Sequence, residues 1–101
     1  MPNGLTLSQV IRSFRGRETE KIFLRLFSPR FQSVARVAKR RLDQVHAATS
    51  LGDLAAVGGN RLEALSGNRA GWHSIRVNDQ WRVCFRWSDG DAFDVEIVDY
   101  H

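Results

Sequence analysis

Between residues 75 and 97 the apolar side chains keep to odd positions: Ile75, Val77, Trp81, Val83, Phe85, Trp87, Phe93, Val95 and Ile97. A β-strand turns successive side chains to opposite faces, so this sustained period of two constrains the fold more than any other feature. It predicts three strands with one apolar face, joined as hairpins. Keeping the odd set on that face requires loops of odd length, about three residues at Asn78–Gln80 and about three around Ser88–Gly90, with Gly90 in a left-handed position. The even face then holds Ser74, Arg76, Arg82, Cys84, Arg86, Asp94, Glu96 and Tyr100. That register sets Arg76 opposite Arg82, and like charges across a strand pair are destabilising. Acids from the next strand, Asp94 and Glu96, or a bound anion would offset the cost. Helices are therefore expected to cover the odd face, leaving the even face partly open and lined with arginine.

The period changes upstream. "VIRSF" is β-branched at its start and reads as a short strand. "RETEKIFLRLFSP" carries Ile22, Phe23, Leu26 and Phe27 at helical spacing, with Pro29 closing the helix. Phe31, Val34, Ala35, Ala38, Leu42 and Val45 then form one stripe, which predicts a second helix to about Ala48. Arg36, Lys39, Arg40 and Arg41 occupy its other side, as a solvated face or as a docking surface. "TSLGDL" is a capped short turn and "AVGGNR" a glycine loop. The expected class is α+β, in one domain: two N-terminal antiparallel helices packed on one face of a small, mostly antiparallel sheet of four or five strands.

Thirteen of the fifteen basic residues are arginine and the net charge is +4. Arginine stays charged and grips phosphate with a two-pronged fork, so the excess suggests a polyanionic partner. An arginine-favouring, GC-rich genome explains the same excess equally well. Nothing resembles a membrane span or a secretory signal, and the single Cys84 fits a reducing compartment, so a bacterial cytosol is the expected location and no membrane partner is expected. Of the histidines, His46 sits at a helix end and His73 on the apolar face. No Cys/His set has ligand spacing, so neither metal nor cofactor is expected. Cys84 is expected to be a buried, inert thiol, and Trp72 is the tryptophan free to face a nucleic-acid or protein partner.

"GNRLEALSGNRAGWHSIRVNDQWRVCFRW", followed by a closing "VEIVDYH", resembles the HigB-type toxins, the plasmid-maintenance killer branch of the RelE superfamily. The likeness covers residues 10–101. It implies a RelE-like fold and the toxin of a type II toxin–antitoxin system: a metal-free endoribonuclease that cuts mRNA in the ribosomal A site. It also implies a HigA-type helix-turn-helix antitoxin that neutralises the toxin, with operator DNA contacted only through that antitoxin. Members of the family usually start with Met directly before "IRSF". Residues 1–9 are accordingly expected to be an upstream extension, and residues 10–101 the toxin domain.

Such chemistry needs a base for the RNA 2′-hydroxyl, a donor for the leaving 5′-oxygen, and cations for the charge gathering on phosphorus. By resemblance Arg82, in "QWR", is the first candidate for the phosphate clamp and Arg76 the second. His101 and Tyr100 are candidates for base and acid, with Asp99 orienting a neighbour or raising the pKa of His101. Some relatives carry "LHPLKG" where this chain has "LEALSG", which puts Glu63 at the histidine position and Ser66 at the lysine position. Glu63 is thus a further candidate base, and the assignment among His101, Tyr100 and Glu63 stays open. Arg69, Arg86, Trp72 and Asn78 complete the expected RNA surface. Arg36, Lys39, Arg40 and Arg41 are the expected ribosome or antitoxin contacts. Two competing functions remain: a module that binds RNA or DNA without cutting, and an inactive toxin fold that only binds its antitoxin.

Overall fold

The computed structural model describes residues 10–100. The expectations for residues 1–9 and for His101 lie outside the described residues. Among the described residues, helices α1 (Arg17–Phe23), α2 (Ala35–Ala47) and α3 (Leu51–Ala55) precede a four-stranded antiparallel sheet. Its spatial order follows the chain: β1 (Glu63–Ala64), β2 (Trp72–Arg76), β3 (Trp81–Ser88) and β4 (Asp91–Asp99). One helical turn, Gln32–Val34, leads into α2. Ala38, Leu42 and Val45 of α2 are buried with Ile75, Val83, Phe85, Val95 and Ile97 of the sheet. The helices thus cover the odd face, as the alternation predicts. No helix of the described residues is long and apolar enough to cross a membrane.

The first hairpin keeps the expected register. Val77 N–H donates to the Trp81 carbonyl at 2.9 Å, closing a loop over 78–80. Asn78 Oδ1 organises that loop, accepting from the N–H groups of Gln80 (2.9 Å) and Trp81 (2.8 Å). Arg76 stands directly opposite Arg82.

The second hairpin departs from expectation. Ser88 pairs with Asp91, so its loop holds only Asp89 and Gly90, both at positive φ (51° and 82°). This is the Asp-Gly turn whose twist matches the strands. An even loop inverts the alternation: Ala92 faces Trp87 and goes into the core, while Phe93 faces Arg86. Phe93 therefore lies on the arginine face, its ring 4.6 Å from the Arg86 guanidinium, and not in the core stripe. A β-bulge restores the parity. The register shifts between Cys84 and Arg86, Asp94 takes φ 53°, and Val95 and Ile97 return to the core. Ser13 Oγ accepts the Asp94 N–H at 2.8 Å.

The "VIRSF" segment straddles that bulge and is not a full strand. It makes two parallel bridges to β4, Ile11 to Ala92 and Phe14 to Val95. The first helix is also shorter than its apolar spacing suggests. Leu26 N–H donates to the Lys21 carbonyl (2.8 Å) and Arg25 N–H to Ile22 (3.1 Å), with Arg25 at φ 64°. That closing pair of bonds stops the helix well before Pro29. It leaves Leu26 and Phe27 outside the core, Phe27 at 70% exposure. "TSLGDL" behaves as read: Ser50 Oγ accepts from Asp53 N–H at 3.3 Å, and the Asp53 carboxylate accepts from the Thr49 N–H and hydroxyl, each at 2.8 Å.

Candidate active site

The turn after β2, the loop before β1 and the residue beyond β4 meet at one end of the even face. They enclose an open cleft of about 560 Å³. Arg61, Glu63, Arg76, Arg82 and Tyr100 line it, together with Gly59, Asn78 and Asp79. Strand register accounts for the convergence. Glu63 pairs with Ser74, Ser74 with Cys84, and Arg76 with Arg82, so β1, β2 and β3 bring their even-face side chains together. Tyr100 N–H donates to the Gln80 carbonyl at 2.7 Å, which extends the β3–β4 pairing far enough to carry the phenol over Arg82. The two aromatic and guanidinium groups sit 5.4 Å apart.

The paired arginines do different things. Arg82 is only 7% exposed. Its Nε donates to Ser74 Oγ (2.8 Å), and its Nη2 donates to the carbonyls of Ser74 (3.2 Å) and Arg61. Glu63 Oε1 approaches it at 4.0 Å. Arg76 turns the other way, its Nη2 paired with the fully exposed Asp79 carboxylate. The cross-strand repulsion is therefore relieved by Asp79, Glu63 and backbone carbonyls. Asp94 and Glu96 do not supply that relief, and Asp94 instead approaches Arg86 at 3.9 Å. The even face is also less open than expected at its middle, where Ser74, Arg82 and Cys84 are buried. Burial pushes the Cys84 thiol pKa up, against the opposing pull of Arg69 and Arg82.

The remaining expected residues divide. Asn78 lines the cleft, but its Oδ1 is committed to the turn. Asp99 pairs with Trp81, on the sheet face opposite Tyr100, and accepts from Gln80 Nε2 at 3.2 Å. Trp72 and Arg86 pair across the far end of the even face. Trp72 has Arg69 at 4.4 Å and Arg15 at 6.0 Å from its ring. On α2, Arg36 and Arg40 are exposed, and Lys39 pairs with Asp43 at 2.6 Å. Arg41 is not on that solvated face. It is 9% exposed, and its Nε donates to the Arg76 carbonyl at 2.9 Å.

Sequence reading missed Arg61, Asp79 and Gly59. Arg61 follows the "VGGN" glycines, and its φ of 46° turns its carbonyl towards Arg82. Asn60, fully buried, anchors the same loop through Nδ2 to the Leu54 carbonyl (3.1 Å), and its own carbonyl accepts from Arg76 N–H (2.6 Å). Asp79 carried a signal, three residues after Arg76 across a tight turn.

A helical layer over a small antiparallel sheet, with a cationic cleft at the end of the last strand, defines the build of a compact RelE-like protein. Two solved structures share the fold. The YoeB dimer from Staphylococcus aureus matches at a TM-score of 0.54 and 18% identity, over 93% of this chain and 98% of that one. The YoeB–YefM complex from the same organism matches at a TM-score of 0.52 and 16% identity, over 90% and 97%. The family model described as "RelE-like toxin of type II toxin-antitoxin system HigB" matches residues 25–101, and the chain belongs to that HigB-like toxin family. It is similar to Toxin HigB-1 of Vibrio cholerae, 47% identical over 60 residues, 59% of this chain and 63% of that protein. It is also similar to Endoribonuclease HigB of Proteus vulgaris, 38% identical over 65 residues, 60% of this chain and 65% of that protein. The matched region thus spans a little under two thirds of each of these relatives.

Proposed function

We propose that the chain is a metal-independent endoribonuclease acting on mRNA in the ribosomal A site, held inactive by a HigA-type antitoxin. The observation that carries this reading is the cleft, where two cross-strand arginines, a carboxylate and a phenol converge on an open surface. Similarity to a protein named as an endoribonuclease supports it. The complex formed by the structurally similar YoeB supports an antitoxin partner.

Each side chain has a part that its geometry allows. Arg76 is half-exposed, and its partner Asp79 is fully exposed, so a phosphate can take the place of that carboxylate. A guanidinium meets two phosphate oxygens at once and strengthens its hold as charge gathers there. Arg82 is already bonded to Ser74 and Arg61, so it acts as a fixed positive wall. Glu63, on an exposed strand that lines the cleft, takes the 2′-hydroxyl proton in this reading. Tyr100, 41% exposed above Arg82, gives a proton to the leaving 5′-oxygen or stacks on a base in this reading. His101 is the alternative partner in either proton transfer.

Induced expression should arrest growth, and co-expression of a helix-turn-helix antitoxin should relieve it. In an extract, cleavage of mRNA should require translating ribosomes. Efficient cleavage of free RNA with no ribosomes present would refute ribosome dependence. The committed hydrogen bonds of Arg82 also suit a protein that binds RNA without cutting it, and an extract in which mRNA is bound but stays intact would establish that second reading.

A further inference from the structure

Arg41 is a buried cation that the cleft's chemistry leaves unused. Its Nη1 reaches Gln44 Oε1 only at 3.5 Å, and its Nη2 lies 3.4 Å from where a side chain on Gly59 would begin. Among the described residues no carboxylate pairs with it. Its charged neighbours are Arg40 and Arg76, and burial together with those like charges pushes its pKa down. An unneutralised cation taken out of water is costly to keep. Here it sits directly beneath the loop of Gly59 to Arg61, and Gly59, Arg61 and Arg76 all line the cleft. The same guanidinium fixes the β2 end of the cleft through the Arg76 carbonyl.

We propose that Arg41 is a positioning residue of the cleft, whose buried and unpaired charge draws in an RNA phosphodiester that it does not touch. This rests on reading the cleft as the RNA site. The anion completes a charge balance that the folded chain leaves open. A low-dielectric path through protein makes such an indirect charge count for more than an exposed arginine at similar range.

The test is fluorescence anisotropy with a short 2′-O-methyl RNA, which cannot be cut, alongside melting temperatures. Arg41→Gln should weaken binding about tenfold, with at most a modest fall in melting temperature, because loss of the bond to the Arg76 carbonyl is offset by removal of an unpaired buried charge. Arg41→Lys keeps the charge and should stay within about threefold of the parent. Arg25→Gln removes an exposed charge of the same size and should change nothing. Parent-like binding by Arg41→Gln would overturn the proposal. Binding by Arg41→Lys as weak as that of Arg41→Gln would overturn it too, since the loss would then be one of shape. Should Arg41→Gln fail to fold, Arg41→Lys decides alone: retained affinity supports the proposal and lost affinity overturns it. Arg76→Ala separates the two levels. Weak binding by Arg76→Ala beside normal binding by Arg41→Gln sinks only the role of Arg41. Normal binding by Arg76→Ala sinks the cleft as the RNA site, and this proposal with it.

Discussion

Replacing Arg82 by alanine should unfold the protein readily as well as inactivate it, whereas replacing Arg76 should only inactivate it. Arg82 donates to Ser74 Oγ at 2.8 Å, to the Ser74 carbonyl at 3.2 Å and to the Arg61 carbonyl, in a site where it is 7% exposed. Hydrogen bonds from a charged donor contribute about 1.5–3 kcal/mol each, and the buried Ser74 hydroxyl would lose its partner. The three bonds share one guanidinium, so their contributions do not add fully, and a total loss of roughly 2–4 kcal/mol follows. In a domain of this size about 1 kcal/mol moves the melting temperature by about 4–8 °C, which places the drop at roughly 10–25 °C. Arg76 loses only its pair with exposed Asp79, a contact of about 0–1 kcal/mol, so its melting temperature should stay within about 8 °C. Calorimetry of both variants, beside mRNA cleavage in a translation extract, checks the contrast. An Arg82→Ala protein that melts within about 3 °C of the parent would show that these bonds do not hold the cleft together.

Four further outcomes are expected. His101→Ala should lower cleavage by ~10²–10⁴ if its imidazole moves a proton, measured as single-turnover rates. Ser13→Ala leaves the Asp94 N–H at the bulge without its acceptor and should cost about 1 kcal/mol in urea unfolding, with the bulge's neighbours losing amide-exchange protection. Thr49 bonds hold the Asp53 pKa below its usual 3.8, so that cap stabilises α3 above that pH and is lost as pH falls through the lowered value. Asp53→Asn should therefore flatten the acid limb of the melting-temperature profile. Cys84, buried and with its thiol pKa raised, should react with a thiol reagent in the native protein far more slowly than in the unfolded chain.

The sheet was legible because alternation is a strong signal, and it failed where a turn was misjudged by one residue. Asp89-Gly90 closes a two-residue loop, and the parity error this creates is corrected at Asp94 a few residues on. No apolar pattern announces a bulge, so the alternation alone puts Phe93 in the core. The first helix was overextended because Leu26 and Phe27 continue its spacing, while Arg25, a poor residue for the left-handed conformation, gives no warning of the stop. Of the residues lining the candidate cleft, Arg76, Arg82, Tyr100 and Glu63 follow from register and resemblance. Arg61 was not, because its contribution is a backbone carbonyl. Arg41 could have been found. It falls with Ala38, Leu42 and Val45 at helical spacing, inside the apolar stripe, where an arginine must reach a partner.

Attack by the RNA's own 2′-hydroxyl on the phosphate in this cleft would leave its mark on the ends of the cleaved mRNA. Mass spectrometry of the fragments from a translation extract should find a 2′,3′-cyclic phosphate, or the 3′-phosphate formed when it opens, on one side and a 5′-hydroxyl on the other. Fragments ending in a 3′-hydroxyl and a 5′-phosphate would mean that water made the attack, and would contradict the proposed role of the 2′-hydroxyl.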